Sequence, residues 1–122
     1  MTLATIARSV DAKRILEVGT HDGEATLQLA SVLPPDGMLI TMEADATVAS
    51  KARQRFADAG YADRISVIVG PPSRFLHKVS GPFDVVFAND DSDALHDRLL
   101  ALLREGGVLI TADRKYIKKV TP

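Results

Sequence analysis

Three residues in the stretch "EVGTHDG" have the types and the spacing of a turn that binds a nucleotide-like cofactor. Glu17 ends an apolar run, and Gly19 and Gly23 follow it before a helical pattern begins. Gly19 permits a tight turn and a close approach of the main chain, and Gly23 allows the start of the helix to pack near a ligand. Asp22 lies in the same turn and would repel a diphosphate at close range. The turn therefore favours a cofactor without phosphates, and the alternative is a purely structural turn.

A further acidic residue has the position expected of a ribose-binding carboxylate. Glu43 follows the apolar run 38–42 and lies about 20 residues beyond Gly23, at the end of the next predicted strand. An acid at that position can accept hydrogen bonds from both ribose hydroxyls. The alternative is an acid that merely precedes Asp45, the predicted cap of the next helix. Because Glu43 occurs together with the glycine turn, we favour the ribose-binding interpretation.

Polar side chains also follow the last two apolar runs, in "ANDDS" (88–92) and in "ADR". Asn89, Asp91 and Asp113 are candidate catalytic or metal-binding residues, because hard cations such as Mg²⁺ take carboxylate and amide oxygens. The alternative for an aspartate of "ANDDS" is that its side chain caps the following helix. After the third run, the prolines of "GPPS" (70–73) either stiffen a loop beside a planar base or simply start a helix.

The hydrophobic pattern predicts the elements that would bring these residues to one edge. Five short runs are continuously apolar, as in strands of a parallel sheet that is covered on both faces, and they alternate with helical patterns. This alternation indicates an α/β fold with a doubly wound parallel sheet and right-handed crossovers. Ligands of such sheets bind beyond the carboxyl ends of the strands, where the candidate residues lie. The predicted strands are Arg14–Val18, Met38–Met42, Ile65–Val69, Asp84–Phe87 and Val108–Thr111, and the predicted helices after them span about 23–33, 46–59, 71–81 and 92–107.

The composition narrows the class of protein. The 122 residues suffice for one domain, which we expect to span residues 1–122, and a hydrophobic content of 46% allows a core. A net charge of −1 gives no attraction to nucleic acid or to anionic lipid. There is no cysteine, no apolar run of membrane-spanning length and no start typical of a signal peptide. We therefore expect a cytoplasmic protein without nucleic-acid or membrane partners.

Five segments resemble a known family in their order and spacing: "AKRILEVGTHDGEATLQLA", "LPPDGMLITMEAD", "ADRISVIVG", "GPFDVVF" and "LLREGGVLITAD". From about Ala12 to Asp113 the chain resembles the S-adenosylmethionine-dependent O-methyltransferases of the catechol or caffeoyl-CoA type. The resemblance implies a Rossmann-like five-stranded sheet in the order 3-2-1-4-5, S-adenosylmethionine as cofactor and a small-molecule methyl acceptor. The cofactor-binding residues that it implies are Glu17, Gly19, Thr20, His21, Gly23, Glu43, Ala44, Pro72, Ser73, Asn89 and Asp90.

The resemblance also implies which part of the cofactor each of these residues would contact. Glu17 and Gly19 would lie against its methionine part, Glu43 would bind the ribose hydroxyls, and Ala44 would lie beside the adenine. Residues 89–91 would lie near the transferred methyl group.

The chain departs from the family pattern in the residues for metal binding and proton transfer. The family binds a divalent metal through an aspartate after the fourth strand and an Asp-Asn pair after the fifth. Here the corresponding residues are Asn89, Asp113 and Arg114, so a magnesium site would have to use Asn89 and Asp113 next to an opposing positive charge. The family's general-base lysine is replaced by Ser92, whose neutral hydroxyl cannot take a proton from a phenol near neutral pH.

The last residues of the sequence bear on what covers the edge of the sheet at the fifth strand. Family members continue beyond the fifth strand with antiparallel strands, which we expect this chain to lack because few residues follow Asp113. The fifth strand "GGVLITA" would then be an apolar edge that invites pairing with another chain. We expect either the tail "YIKKV" or a partner subunit to cover it, and we predict a homo-oligomer through this edge.

The leading functional hypothesis is a methyltransferase that uses S-adenosylmethionine for O-methyl transfer to a small molecule. The alternative is a catalytically inactive domain of the same fold that acts through assembly with a partner. A nicotinamide-dependent oxidoreductase ranks last, because His21 takes the place of the middle glycine of that fingerprint and would block the pyrophosphate.

Overall fold

A computed structural model describes residues 2–90 and 93–119, which form a six-stranded sheet with helices on both faces. The sheet has the order β3-β2-β1-β4-β5-β6. Two short 3₁₀ turns, Leu76–Lys78 and Asp93–Leu95, follow α4 and precede α5. The helices are α1 (Leu3–Ser9), α2 (Glu24–Ala30), α3 (Ala46–Asp58), α4 (Pro72–Phe75) and α5 (His96–Leu102), and the strands are β1 (Arg14–Val18), β2 (Met38–Glu43), β3 (Ile65–Val69), β4 (Phe83–Ala88), β5 (Leu103–Thr111) and β6 (Tyr116–Lys118).

The first five strands are parallel, and the strand order reverses at β1. Val18, the last residue of β1, lies opposite Met42 of β2 on one side and Ala88 of β4 on the other. The loops after β1, β2 and β4 therefore meet at one edge, which is where doubly wound sheets bind their ligands.

Two hydrophobic clusters lie on the two faces of the sheet and explain why the strands are continuously apolar. On one face, side chains such as Ile15 and Val85 pack with Leu29 of α2 and Phe56 of α3. On the other face, strand residues pack with residues of the later helices, among them Leu99 of α5. Burial on both faces confirms the predicted α/β class, the parallel core and the order of the first five strands.

The structure corrects the prediction for the last third of the chain in two respects. The helix predicted to reach about residue 107 ends at Leu102, and β5 begins at Leu103 because it pairs with Phe83 of β4. The sheet also has a sixth strand, antiparallel to β5, in which Ile117 lies opposite Leu109. The expectation that antiparallel strands are lacking is therefore wrong.

The sixth strand decides what covers the edge of β5. The tail turns back at residues 111–115, where the Thr111 amide donates to the carbonyl of Lys115 at 2.8 Å. The amide of Gly106 donates to the carbonyl of Lys119, at 2.6 Å, and extends the pairing. Of the two expected covers, the tail is therefore the one present, and the homo-oligomer predicted through this edge loses its structural basis. In the part of the chain that the structure describes, no helix has the length and apolarity needed to cross a bilayer.

Candidate functional site

The turn after β1 is built from two left-handed glycines and is hydrogen-bonded to the end of β2. Gly19 has φ +98° and Gly23 has φ +86°, a backbone conformation that favours glycine. The amides of Gly19 and Thr20 donate to the carbonyl of Met42 at 2.9 and 3.2 Å. The sequence therefore places glycine where the backbone geometry requires it, and the turn is fixed against the neighbouring strand.

Glu43 lies directly beside this turn. Its side chain is only 8% exposed. Its Oε1 accepts a hydrogen bond from the His21 amide at 2.9 Å, and its Oε2 accepts one from the Asp45 amide at 3.1 Å. Each carboxylate oxygen can accept more than one hydrogen bond, so both keep capacity for a ligand's hydroxyl groups. The structure thus brings Glu43 and the glycine turn together, as the sequence predicted.

Glu17, predicted to lie against the methionine part of the cofactor, has its carboxyl fully buried next to the turn, and its contact with a cofactor stays a prediction. Oε1 accepts hydrogen bonds from the hydroxyls of Thr26 and of Thr41, the latter at 2.7 Å. Thr20 lies 2.6 Å from Thr41 and donates to it, since the Thr41 hydrogen is already used toward Glu17. Burial raises the pKa of Glu17 to about 7, although both threonine hydroxyls act in the opposite direction.

The buried threonines that bond to Glu17 are the feature beside the site that sequence reasoning missed. Thr26 lies on α2 and Thr41 on β2, and neither side chain is exposed. Their sequence signal is weak, namely a hydroxyl inside an otherwise apolar stripe or strand. Thr20, a predicted ligand residue, has its side chain in the same network and its amide bonded to Met42, so the residue is buried.

The loop after β4 folds over the glycine turn. The Asn89 side-chain amide donates to the carbonyl of Gly19 at 3.2 Å, and the Asp90 amide donates to the carbonyl of Val18 at 2.9 Å. The Asp90 carboxylate lies 2.7 Å from Nε2 of His21. The structure therefore brings Asn89, Asp90 and His21 together, whereas Asp91 and Ser92 lie outside the described residues.

The remaining predicted cofactor residues lie at the ends of β2 and β3. Ala44 is exposed directly after Glu43. Pro71 caps α4 and Pro72 is its first residue, which is the helix-starting role considered for these prolines. Ser73 is exposed on α4, and its carbonyl accepts a hydrogen bond from Arg98 at 3.2 Å. These residues border the same edge of the sheet as Glu43.

The described residues do not fit a divalent metal. Asp113 is committed to the turn, where its Oδ1 accepts from the Thr111 hydroxyl and its Oδ2 lies 3.7 Å from Nζ of Lys115. The Arg114 guanidinium lies 4.8 Å from the centre of the Phe87 ring, so it brings positive charge to this edge. Within residues 2–90 and 93–119, no group of three or more His, Cys, Asp or Glu side chains is arranged to hold a metal.

A shallow pocket of about 470 Å³ lies on the outer side of the turn, against α3. It shares His21 with the site, but neither Glu43 nor Asp90 lines it. We therefore place the candidate site at the carboxyl edge of the sheet rather than in this pocket. The pocket is lined by His21, Asp22, Val48, Lys51, Ala52 and Arg55.

Comparisons with known proteins show which sequences and structures this chain resembles. The chain is 37% identical over 112 residues to a catechol O-methyltransferase of Mycobacterium tuberculosis, a match that covers 88% of this chain and 51% of that protein. The crystal structure of the O-methyltransferase TomG from Streptomyces achromogenes in complex with SAM superposes with a TM-score of 0.83 at 35% identity, over 89% of this chain and 52% of TomG. An O-methyltransferase from Bacillus cereus in complex with SAH gives a TM-score of 0.80 at 31% identity, over 89% of this chain and 53% of that one.

The chain thus spans about half the length of the relatives that it matches. A family model described as O-methyltransferase matches residues 2–121. The match therefore includes nearly every residue of the sequence. The chain belongs to the O-methyltransferase family.

Proposed function

We propose that this protein is an S-adenosylmethionine-dependent methyltransferase that transfers the methyl group to an oxygen of a small molecule. The observation that carries the proposal is the buried carboxylate of Glu43, held beside the glycine turn by the amides of His21 and Asp45. A carboxylate at the end of this strand can accept hydrogen bonds from both ribose hydroxyls, which supports the proposal. The sulfonium cofactor supplies an activated methyl group, and the TomG structure, which aligns with most of this chain, contains that cofactor.

The chain's own residues fit such a cofactor in three places. Glu43 would bind the ribose, and the main chain at Gly19 would lie along the amino-acid end, since a glycine permits close approach there. Ala44 and the start of α4 would border the adenine, because they follow β2 and β3 at the same edge. Asp113 is used in the turn after β5 and Arg114 brings positive charge beside it, so we propose transfer without a divalent metal.

Methyl transfer needs the acceptor oxygen in line with the sulfonium carbon, and holding the two reactants in that geometry lowers the barrier substantially. Ser92 stands where the family has a lysine base, and a serine hydroxyl cannot remove a phenol proton near neutral pH. We therefore propose an acceptor whose oxygen is acidic enough to be ionised before it binds.

Two finer expectations belong to the same proposal. We keep the cytoplasmic location as a prediction. We also keep a homo-oligomer as a prediction, and light scattering on the purified protein measures it. Nothing in the comparisons supports the catalytically inactive alternative, which turnover of a phenol panel would exclude.

Isothermal titration with S-adenosylmethionine tests cofactor binding directly. We expect heat of binding with this ligand and none with NAD. Glu43→Gln should weaken binding by about tenfold or more, because hydrogen bonds to a charged group contribute about 1.5–3 kcal/mol. Asp58→Asn is the matched control, since this exposed carboxylate at the end of α3 accepts only from Gln54 among the described residues. Absence of heat with S-adenosylmethionine, or equal affinity of the Glu43 variant, would refute the proposal.

A further inference from the structure

An arginine lies at the carboxyl edge of the sheet, in the turn that follows β5. The guanidinium of Arg114 lies 4.8 Å from the centre of the Phe87 ring, and its Nη1 donates to the carbonyl of Ala112 at 3.1 Å. Phe87 lies opposite Glu17 of β1 in the sheet, so the arginine is next to the strand that leads into the glycine turn. Two contacts therefore hold a positive charge beside the candidate site.

The charge of Arg114 reaches the buried carboxyl next to the turn and is not neutralised by a neighbouring acid. Burial raises the pKa of Glu17, and the positive charge of Arg114 acts in the opposite direction. Within residues 2–90 and 93–119 the guanidinium has no ion-pair partner, since the nearby Asp113 pairs with Lys115. A guanidinium has five N–H donors, and the bond to Ala112 uses one of them. Donors therefore remain for a ligand.

The backbone at this position is unfavourable for an arginine. Arg114 has φ +67°, in the left-handed region, where glycine, asparagine and aspartate are favoured over other residue types. The family pattern described above has an asparagine at this position, which suits such a conformation. A turn that only reverses the chain would be more stable with asparagine or glycine. A residue held in a strained conformation is a reason to look for a function of its side chain.

The proposed transfer needs a positive charge at this edge of the sheet. An acceptor that binds with an ionised oxygen meets the carboxylates of Glu43 and Asp90, and Asp113 is exposed on the turn after β5. Each carboxylate raises the free energy of a nearby anion, and a guanidinium lowers it. Of the two cations in the turn 111–115, Lys115 faces Asp113 at 3.7 Å, so the cation with no acid beside it there is Arg114.

We propose that Arg114 binds the ionised oxygen of the methyl acceptor, so that a guanidinium supplies the positive charge that the family pattern assigns to a divalent metal. The inference rests on the proposed function and names its substrate class, acceptors that bind as oxyanions. A guanidinium stays charged near neutral pH and donates charge-assisted hydrogen bonds to such an oxygen. The acceptor oxygen bonds to the methyl carbon while the carbon–sulfur bond breaks and its electron pair stays on sulfur, so no proton has to be removed.

Two small ligands of similar shape measure the preference for an anion. 4-Nitrophenol is largely ionised at about pH 8, where a phenol with an ordinary pKa near 10 is neutral. 4-Nitroanisole has the same ring and nitro group, but its oxygen is methylated and uncharged. Titration calorimetry in the presence of S-adenosylhomocysteine gives a dissociation constant for each ligand. The wild-type protein should bind 4-nitrophenolate about threefold or more tightly than 4-nitroanisole, which is within the range of an exposed ion pair.

Three variants separate the charge of Arg114 from its place in the turn. Arg114→Asn tolerates the left-handed backbone but removes the guanidinium, so it should lower the preference for 4-nitrophenolate by about threefold or more. Arg114→Lys keeps a positive charge, so it should bind 4-nitrophenolate more tightly than Arg114→Asn does. Arg8→Gln is the matched control, because this exposed arginine lies on α1, before the amino end of β1, and its loss should leave the preference unchanged. A thermal melt of each variant checks folding.

A second pair of ligands distinguishes the acceptor from the other anionic group that the proposed function brings to this site. S-Adenosylhomocysteine carries a carboxylate at its amino-acid end, whereas 5′-methylthioadenosine lacks that end. Arg114→Asn should change the dissociation constant of either ligand by less than about twofold. If it weakens S-adenosylhomocysteine by more than this and leaves 5′-methylthioadenosine unchanged, the arginine binds the cofactor's carboxylate and the inference is wrong.

The remaining outcomes separate this inference from the proposed function. If the wild-type protein binds neither S-adenosylmethionine nor S-adenosylhomocysteine, both are wrong. If it binds them but does not prefer 4-nitrophenolate, or if Arg114→Asn lowers that preference by less than about threefold, only the inference fails. It also fails if Arg8→Gln lowers the preference as much as Arg114→Asn does, or if Arg114→Lys binds 4-nitrophenolate no more tightly than Arg114→Asn.

Discussion

The buried carboxyl of Glu17 should make the stability of the fold depend on pH in a way that one substitution removes. In the folded protein burial raises its pKa from an ordinary value of 4.5 to about 7. The folded state therefore holds this proton over a range in which the unfolded chain has released it. The contribution of Glu17 to the free energy of unfolding is fully present below pH 4.5 and is lost progressively as the pH rises through 7.

The size of the effect follows from the shift itself. One pKa unit corresponds to about 1.4 kcal/mol, so ionising Glu17 in place costs the fold about 3 kcal/mol above pH 7. That is a large share of the 5–15 kcal/mol typical of a folded domain. Glu17→Gln keeps the shape and an oxygen that accepts from Thr26 and Thr41, but it has no proton to lose.

Urea unfolding between pH 4.5 and 8.5 measures this effect as a difference between two proteins. The free energy of unfolding of Glu17→Gln minus that of the wild type should rise by about 3 kcal/mol across this range. Other carboxylates titrate in both proteins and cancel in the difference. Glu24→Gln, an exposed carboxylate on α2, should give a difference that stays within about 0.5 kcal/mol. A flat profile for Glu17→Gln would show that the buried carboxyl is already ionised at low pH and would refute the reasoning.

Two further predictions concern the frame that carries the site. The Asp84 carboxylate accepts hydrogen bonds from the amides of Lys13 and Arg14 and from the Arg104 side chain, at 2.5–2.8 Å. Asp84→Ala should therefore lower the free energy of unfolding, measured by urea titration, by about 2–4 kcal/mol. A loss below about 0.5 kcal/mol would contradict this expectation. Ile117→Pro removes an amide from β6 and should free the edge of β5, so light scattering should show larger particles than the wild type forms at the same concentration. An unchanged particle mass would show that β6 does not protect the edge.

The parts of the fold that the sequence predicted well are those with a local cause. The bounds of β1 and β3 agree with the predicted runs because short, continuously apolar stretches between polar turns are rarely stable as anything but buried strands. Asp45 caps α3 as predicted, with its side chain accepting from the amides of Thr47 and Val48. A cap depends only on residues within one turn, so its signal is contained in the sequence.

The parts that the sequence did not predict depend on contacts between distant residues. The stretch after Leu102 continues a helical pattern, yet pairing with β4 outweighs that local preference from Leu103 onward. The hydrogen bonds that Glu17 accepts from Thr26 and Thr41 join residues 9 and 24 positions apart, so the sequence pattern did not indicate them. The contact of His21 with Asp90 spans an even longer separation, and no sequence periodicity could indicate it.

The departures from the family pattern at the end of β5 and the sixth strand have one physical origin. Asp113 accepts from the Thr111 hydroxyl, and Thr111 in turn bonds to the carbonyl of Lys115, so the acid closes the turn that sends the chain back along β5. Arg114, at φ +67°, takes the left-handed position of that turn and covers the buried ring of Phe87. An oxygen spent on closing a turn is not free to coordinate a cation, and a guanidinium beside it opposes one. The same few residues therefore cover the sheet edge and disfavour a cation at the end of β5, which is why the chemistry we propose depends on positioning and on an acceptor that is already ionised.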